Sequence, residues 1–235
     1  MKRIIFVHGD KGGVGKTQCA TRTVAAFEAA GQPLDLIDGD AKNPGVDLLF
    51  GNKVRCMDLR KTAGMETLFE AIANAHGDVL IDMPAGGSDA TANMQMDGSA
   101  EGTIDLGVLL QEIDARAVVL FVIDQSIEPI FALRDELKSF PPEQTDWIVV
   151  RNHFQDRPFT RFENSITKKK LLESGGRIID MTRLDPAVVE AMGTLKCGLD
   201  SFSTHPEASA IHKMRAKAAM RLWSSELQKV GLLND

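Results

Sequence analysis

Three glycines and two lysines fall within seven positions near the start of the chain, in the segment KGGVGKT from Lys11 to Thr17. Glycine allows left-handed backbone dihedrals and leaves room for an anion to approach the main chain, so successive N–H groups can point into one concavity. A lysine ammonium group beside such a concavity supplies positive charge for phosphate groups. The types and spacing of these residues therefore predict a phosphate-binding loop.

The segments on either side of this loop agree with that interpretation. An apolar run from Arg3 to His8 predicts a strand, and the helical spacing from Thr17 to Ala30 predicts a helix. A turn between a strand and a helix directs the helix N-terminus, with its partial positive charge, at a bound anion. In this context we expect Lys16 to contact the β- and γ-phosphates and the Thr17 hydroxyl to ligate Mg²⁺.

Short apolar runs alternate with helical stretches along the rest of the 235-residue chain. Because parallel strands need crossover helices, this alternation predicts an α/β fold, with a mostly parallel twisted sheet covered by helices on both faces. We expect residues 1–235 to form one domain, a P-loop NTPase. The further predicted strands are Leu34 to Ile37, Val79 to Ile81, Ala117 to Ile123, Trp147 to Val150 and Arg177 to Ile179, and the further predicted helices are Met65 to Ala75, Thr103 to Asp114, Pro129 to Lys138, Pro186 to Met192 and Pro206 to Val230.

The last predicted helix is the longest, and several of its apolar residues recur at helical spacing. This spacing predicts that they form one face, which packs on the sheet. The residues of this predicted face are Ile211, Met214, Ala218, Leu222 and Trp223.

A carboxylate ends the third predicted strand, in the segment DVLIDMPAGG. Open α/β sheets bind their ligands at the carboxyl ends of the strands, and a carboxylate there can hold Mg²⁺, often through water. An apolar strand seldom ends on an unpaired Asp. We therefore predict that Asp82 is a metal ligand of the Walker B type. Asp38 and Asp40 follow the second strand and reach the same edge of the sheet.

The segment KGGVGKT resembles the deviant Walker A motif of the ParA/MinD group of P-loop ATPases. The resemblance covers nearly the whole chain and is strongest in the motifs at 10–17, 38–40 and 82–86. It implies that Lys11 is a signature lysine, which reaches across a nucleotide-sandwich dimer to the phosphates in the other subunit and stabilises charge as the γ-phosphoryl group leaves. It further implies that ATP and Mg²⁺ are the cofactors and that the nucleotide is bound by Gly12, Gly13, Val14, Gly15, Lys16, Thr17 and Gln18. Asp10 departs from the family pattern, and its charge would repel phosphate unless the side chain turns away.

The resemblance also implies roles for residues outside the loop. Asp40 would position the attacking water, and Asp38 would lie near the outer shell of the magnesium ion. Asn152, at the end of the fifth predicted strand, would bind the adenine edge, and the loop after the sixth would close over the base. A glycine N–H after Asp82 would sense the γ-phosphate. The segment from Gly87 to Gly102 has little periodicity, and we expect it to become ordered with ATP or a partner.

Composition and charge limit the other functions. The net charge of −6 and the pI near 5.4 provide no global attraction for nucleic acid or anionic lipid. Cys19, Cys56 and Cys197 lack the spacing of a disulfide framework or a zinc site, which favours a reducing cytoplasm. No stretch approaches 18 consecutive apolar residues, and the last segment, LQKVGLLND, contains a single lysine. We expect a cytoplasmic protein without membrane association.

Two basic clusters in the C-terminal half leave DNA binding open. One contains Lys168, Lys169 and Lys170 together with upstream arginines, and the other lies on the last predicted helix. Such clusters can neutralise DNA phosphates without sequence specificity, or they can form solvated helix faces. The acidic net charge favours the second interpretation. The members outside the lysine triplet are Arg151, Arg157, Arg161, Lys213, Arg215, Lys217 and Arg221.

The sequence and the family resemblance together favour an ATP-hydrolysing molecular switch that dimerises around two nucleotides and is reset by hydrolysis. A partner protein would stimulate a slow intrinsic rate, and the switch would serve plasmid partition, conjugative transfer or the positioning of a cellular assembly. One alternative is a small-molecule ligase of the dethiobiotin-synthetase or cobyrinate-amidating type, which shares the fold and the loop. Another, suggested by Asp10, is a nucleotide-binding scaffold that hydrolyses weakly.

Overall fold

The sheet of this protein is built from strands that all run in the same direction. The computed structural model describes residues 1–86, 91 and 105–234, and within these residues seven strands form one sheet. In chain order they are β1 (Lys2–His8), β2 (Leu34–Asp38), β3 (Val54–Cys56), β4 (Asp78–Asp82), β5 (Ala115–Ile123), β6 (Thr145–Asn152) and β7 (Arg177–Met181). Their order across the sheet is β3-β2-β4-β1-β5-β6-β7, and every paired strand is parallel to its neighbour.

Helices connect these strands and cover both faces of the sheet, which confirms the predicted α/β fold class. Short 3₁₀ turns lie at Gly51–Lys53 and Pro142–Gln144. None of the helices in the described part of the chain has the length and apolar character needed to cross a membrane. The described α-helices are α1 (Lys16–Ala29), α2 (Asp47–Phe50), α3 (Thr62–Asn74), α4 (Leu106–Glu112), α5 (Glu128–Glu136), α6 (Thr160–Glu163), α7 (Ile166–Glu173), α8 (Pro186–Leu195), α9 (Leu199–Thr204) and α10 (Ala210–Lys229).

The central strands are apolar on both faces, which is why they appear as continuous hydrophobic runs in the sequence. In β1, Ile5 and Val7 belong to one core, together with buried residues of α1, α8, α9 and α10. Ile4 and Phe6 point to the opposite core, together with residues of α3, α4 and α5. Side chains alternate along a strand, so one central strand anchors both layers of helices.

The structure corrects the number of strands. Sequence reasoning missed β3, which has only three residues and whose Arg55 and Cys56 are exposed. The strand that ends at Asp82 is therefore the fourth, the one that ends at Asn152 is the sixth, and the one at Arg177 is the seventh. The segment predicted to become ordered with ATP, Gly87 to Gly102, lies outside the described residues except for Thr91.

The last predicted helix is also corrected, both in its start and in its buried face. The α10 helix begins at Ala210, with Ser209 as the N-cap, and the separate helix α9 precedes it. Of the predicted face, only Trp223 is buried, whereas Ile211, Met214 and Leu222 are 50 to 71% exposed and Ala218 is exposed as well. The residues of α10 that pack on the core are Ala216, Ala219, Met220, Trp223 and Leu227.

Candidate functional site

The predicted phosphate-binding loop joins β1 to α1, and its glycines differ in conformation. Gly13 and Gly15 have positive φ angles of 78° and 105°, whereas Gly12 is not in the left-handed region. Gly15 is the N-cap of α1, and its carbonyl oxygen accepts the N–H of Cys19. The loop therefore leads directly into the first turn of a helix, whose free N–H groups form a natural anion site.

Lys16 lies beside a cavity of about 430 Å³ at the carboxyl edge of the sheet. Its side chain is buried, and Nζ donates to the main-chain oxygen of Lys11 at 3.4 Å. Burial lowers the pKa of Lys16, while the charges of nearby carboxylates, with Asp82 the strongest, raise it. No carboxylate of the described residues forms an ion pair with Lys16 within 4.0 Å, so the ammonium group is suited to an anionic ligand. The cavity is lined by Gly12, Gly13, Gly15, Lys16, Thr17, Gln18, Asp40, Asn43, Asp82, Met83 and Ala85.

Asp82 and Thr17 meet at this cavity and have the character of a magnesium site. Asp82 is 4% exposed, and its Oδ2 accepts the Thr17 hydroxyl at 2.9 Å. Its buried Oδ1 has no hydrogen-bond partner among the described residues. Burial raises the pKa of Asp82 to about 7, and the hydrogen bond from Thr17 opposes this shift. An unpartnered carboxylate oxygen beside a hydroxyl group suits a hard divalent cation.

The donor set fits a magnesium ion that is shared with phosphate groups. In the described ranges, no group of three or more His, Cys, Asp or Glu side chains could hold a metal by itself. Mg²⁺ is commonly bound through one or two carboxylates while substrate phosphates and water complete its shell. Thr17 and Asp82, next to the phosphate-binding loop, match that pattern.

Asp38 is buried beside Asp82 and is bonded to the backbone of the loop that follows β2. It is 1% exposed, and its Oδ1 accepts the N–H of Asp40 at 3.1 Å. Its Oδ2 accepts the N–H groups of Val46 and Asp47 at 2.9 and 3.4 Å. The carboxylate therefore holds the loop between β2 and α2, and the metal contact of Asp38 stays a prediction.

Asp40 forms an ion pair that sequence reasoning missed. Both of its carboxylate oxygens accept hydrogen bonds from Arg60 at 3.0 Å, which lowers the pKa of Asp40. A third N–H of Arg60 donates to the main-chain oxygen of Ala85 at 3.2 Å. Arg60 lies just beyond the missed strand β3, and no motif in the sequence distinguishes it from the other arginines.

Lys11 turns toward the loop after β5 of its own subunit. Its Nζ lies 3.0 Å from Ser126 Oγ and 3.3 Å from Asp124 Oδ2, with Glu128 at 3.9 Å. The side chain is still 40% exposed. The neighbouring Asp10 is tied through its backbone, because its carbonyl oxygen accepts the N–H of Gly86 at 3.1 Å.

Asn152 is buried where β6 meets the phosphate-binding loop. Its Nδ2 donates to the main-chain oxygen of Val14 at 2.9 Å. A Cβ atom at Gly15 would lie 2.2 Å from the same nitrogen, so the loop packs closely against this side chain. Asn152 and Gln18 also line a second cavity of about 460 Å³ with Phe154, Arg183 and residues of α8. Gln18 belongs to both cavities, so they adjoin at the start of α1.

The two basic clusters differ in how far acidic residues neutralise them. Arg151 contacts Asp180 at 2.7 Å and Glu163 at 2.6 Å, and Lys168 also pairs with Glu163. Neighbouring acidic residues therefore neutralise much of the positive charge of the first cluster. On α10, Arg215 pairs with Asp185 at 2.5 Å, and Lys217 and Arg221 are exposed.

No family model matches the chain. The chain is 25% identical over 236 residues to Protein MobD of Acidithiobacillus ferrooxidans. The alignment covers 97% of this chain and 96% of that protein.

Solved structures share the whole fold at low sequence identity. The septum site-determining protein MinD of Pyrococcus horikoshii OT3, complexed with Mg-ADP, superposes with a TM-score of 0.57, at 16% identity and over 100% of both chains. The MinD cell division protein of Aquifex aeolicus gives a TM-score of 0.50 at 16% identity, over 94% of this chain and 97% of that one. The chain has the fold of these MinD proteins.

Proposed function

We propose that this protein is a magnesium-dependent ATPase that acts as a molecular switch. The observation that carries the proposal is the free carboxylate oxygen of Asp82, next to the Thr17 hydroxyl, at a cavity that Lys16 also lines. These groups offer a metal ligand and a cation for phosphate in one place. The shared fold of a MinD protein in complex with Mg-ADP supports this assignment.

Each predicted site residue has a role in this proposal, and Asp38 would lie near the outer shell of the magnesium ion. The amides of the phosphate-binding loop, from Gly12 to Gln18, and the Lys16 ammonium group would hold the phosphates, while Thr17 and Asp82 would hold Mg²⁺. When bound, the ion would neutralise charge that develops on the phosphates. Asp40 would orient the attacking water, and the base would lie in the cavity lined by Asn152.

We further propose that the active form is an ATP-dependent homodimer. In the single subunit Lys11 is held by Asp124 and Ser126. This predicted catalytic group is thus engaged by other side chains, which supports a slow intrinsic rate and stimulation by a partner protein. A lysine supplied across the dimer would act like an arginine finger.

The proposal also covers the cellular process that the ATPase would serve. The protein would act in the cytoplasm, and the three candidate processes are plasmid partition, conjugative transfer and the positioning of a cellular assembly. The full-length similarity to Protein MobD makes that protein's process the first to examine. The exposed cations on α10 are the better candidates for non-specific DNA contact, because the cluster around Arg151 is paired with acids.

Calorimetry with ATP and Mg²⁺ tests the phosphate site. We expect Lys16→Ala to lose at least about tenfold in ATP affinity, because a buried cation at the phosphates is removed. Lys169→Ala is the matched control, since Lys169 is 75% exposed on α7, and we expect it to bind ATP as the wild type does.

Three outcomes would contradict parts of the proposal. Unchanged ATP affinity in the Lys16→Ala variant would refute the phosphate site itself. Binding of ATP without release of phosphate, even in the dimer, would indicate a scaffold. Phosphate that is found on a carboxylate substrate would indicate the ligase.

A further inference from the structure

Arg60 contacts both loops that border the phosphate cavity. Its guanidinium group donates to both oxygens of Asp40 at 3.0 Å and to the main-chain oxygen of Ala85 at 3.2 Å. Asp40 follows β2, and Ala85 follows β4, the strand that ends at Asp82. One side chain thus links a loop that carries a predicted catalytic carboxylate to the loop next to the predicted metal ligand.

The backbone around Arg60 fixes the position of its side chain. Asp40 and Asp58 form an antiparallel bridge, and the N–H of Leu59 donates to the Gly39 carbonyl oxygen at 3.2 Å. The N–H of Gly39 in turn donates to the Asp82 carbonyl oxygen at 2.9 Å. These contacts place the loop after β3 beside the loop after β2, so Arg60 reaches Asp40 from a defined direction.

The geometry of the pair requires arginine. A guanidinium group presents its N–H donors in a rigid planar fork that matches a carboxylate and leaves further donors free. The lysine ammonium group is a compact charge on a flexible stem and does not reproduce a two-point contact. At this position a fork is needed, because one group serves Asp40 through two bonds and Ala85 through a third.

The expected contribution of this pair to global stability is modest. The side chains of Arg60 and Asp40 are 32% and 16% exposed, and ion pairs that water reaches contribute little to folding. The orientation of a carboxylate at a reaction site, in contrast, strongly affects rates, because small displacements of reacting groups are costly.

We infer that Arg60 is a positioning residue, which holds Asp40 at the phosphate cavity and couples the loop after β2 to the loop after β4. The inference rests on the proposed ATPase function of this site. Arg60 acts through Asp40 and does not itself touch the reacting atoms. Removal of its side chain releases both loops together.

Steady-state kinetics of Arg60→Ala, Arg60→Lys and the control Lys61→Ala test this role in the full-length protein. Lys61 is the adjacent cation, 72% exposed, and it pairs with Asp58 at 3.3 Å. We expect Arg60→Ala to lower kcat by about 10- to 100-fold while KM stays within about threefold. Because lysine does not reproduce the two-point contact, Arg60→Lys should recover little of the loss, and Lys61→Ala should keep the wild-type kcat. A wild-type kcat in Arg60→Ala would overturn the inference.

A double variant separates positioning from a general structural effect. If Arg60 acts through Asp40, the combination Asp40→Asn with Arg60→Ala should be no slower than Asp40→Asn alone. Fully additive losses would show that Arg60 acts independently of Asp40 and would contradict the inference.

Hydrogen–deuterium exchange of the nucleotide-free protein tests the coupling without any activity. Arg60→Ala should speed exchange in peptides that cover both 39–46 and 83–86, and Lys61→Ala in neither. Faster exchange in only one of these loops would refute the coupling. If the wild-type protein fails to hydrolyse ATP, the proposed function fails, and exchange alone decides the inference.

Discussion

At the scale of single residues, the phosphate-binding loop packs tightly against Asn152 at Gly15. Gly15 has a φ of 105°, and a Cβ atom there would lie 2.2 Å from Asn152 Nδ2. The same nitrogen binds the Val14 carbonyl oxygen. A side chain at position 15 would therefore meet two obstacles, an unfavourable dihedral angle and an occupied space.

Substitution of two glycines in this loop should give very different stabilities. We expect Gly15→Ala to lower the free energy of unfolding by at least about 2 kcal/mol, because strained dihedrals and a close contact add up. Gly12→Ala is the control, since a Cβ there has no neighbour within 4 Å, and it should change stability by less than about 0.5 kcal/mol. Denaturant unfolding without nucleotide measures both, and equal losses would show that the Gly15 contact is unimportant.

Sequence reasoning identified the site residues that lie next to a recognisable strand or turn in the sequence. Lys16 follows a strand and a glycine-rich turn, and Asp82 ends an apolar strand, so local order places both at one edge of the sheet. Arg60 has no such local signal, and it reaches Asp40 only through strand pairing between distant segments, which a single sequence does not reveal. Asp124 directly follows the apolar strand β5, so a local signal existed there, but sequence reasoning did not use it.

At the scale of elements, α10 shows why helical spacing alone does not identify the buried face. Two apolar stripes run along this helix. The exposed stripe has the larger aliphatic residues Ile211, Met214 and Leu222, whereas the buried one begins with Ala216 and Ala219. Small residues let a helix approach its neighbours closely, and Trp223 then fills the remaining space. Tertiary packing, which hydropathy does not encode, selects the face.

Alanine substitutions on the two faces of α10 should differ clearly. Trp223 is 2% exposed and Met214 is 71% exposed. We expect Trp223→Ala to lower the free energy of unfolding by about 3–5 kcal/mol, since it leaves a large cavity, and Met214→Ala to change it by less than about 0.5 kcal/mol. Thermal or denaturant unfolding checks the pair, and a large loss in Met214→Ala would mean that this face is covered in solution.

At the scale of the whole molecule, the parallel sheet gathers the site from distant parts of the chain. β1, β2, β4 and β6 all end at one edge, which brings Lys16, Asp40, Asp82 and Asn152 around adjoining cavities. The α/β fold and this shared edge could be predicted from alternating strands and helices. The short strand β3 could not, because three residues with exposed side chains carry too little periodicity.

Formation of the homodimer should depend on the γ-phosphate of the bound nucleotide. We expect light scattering to detect a dimer with ATP or a slowly hydrolysed analogue and a monomer with ADP. Lys11→Ala should keep ATP affinity within about threefold but lower turnover by at least about tenfold, because the cation supplied across the dimer is lost. Wild-type turnover in this variant would contradict the role assigned to Lys11.

The hydrogen bond between Asn152 and Val14 also has a consequence for biosynthesis. The two residues lie 138 positions apart, and β5 separates their strands in the sheet. A nascent chain emerging from the ribosome can make the first strand and helix early. The phosphate-binding loop can form its hydrogen bond with Asn152 only after β6 has been translated and has joined the sheet. A fragment that ends before residue 145 should thus fail to protect this loop from proteases.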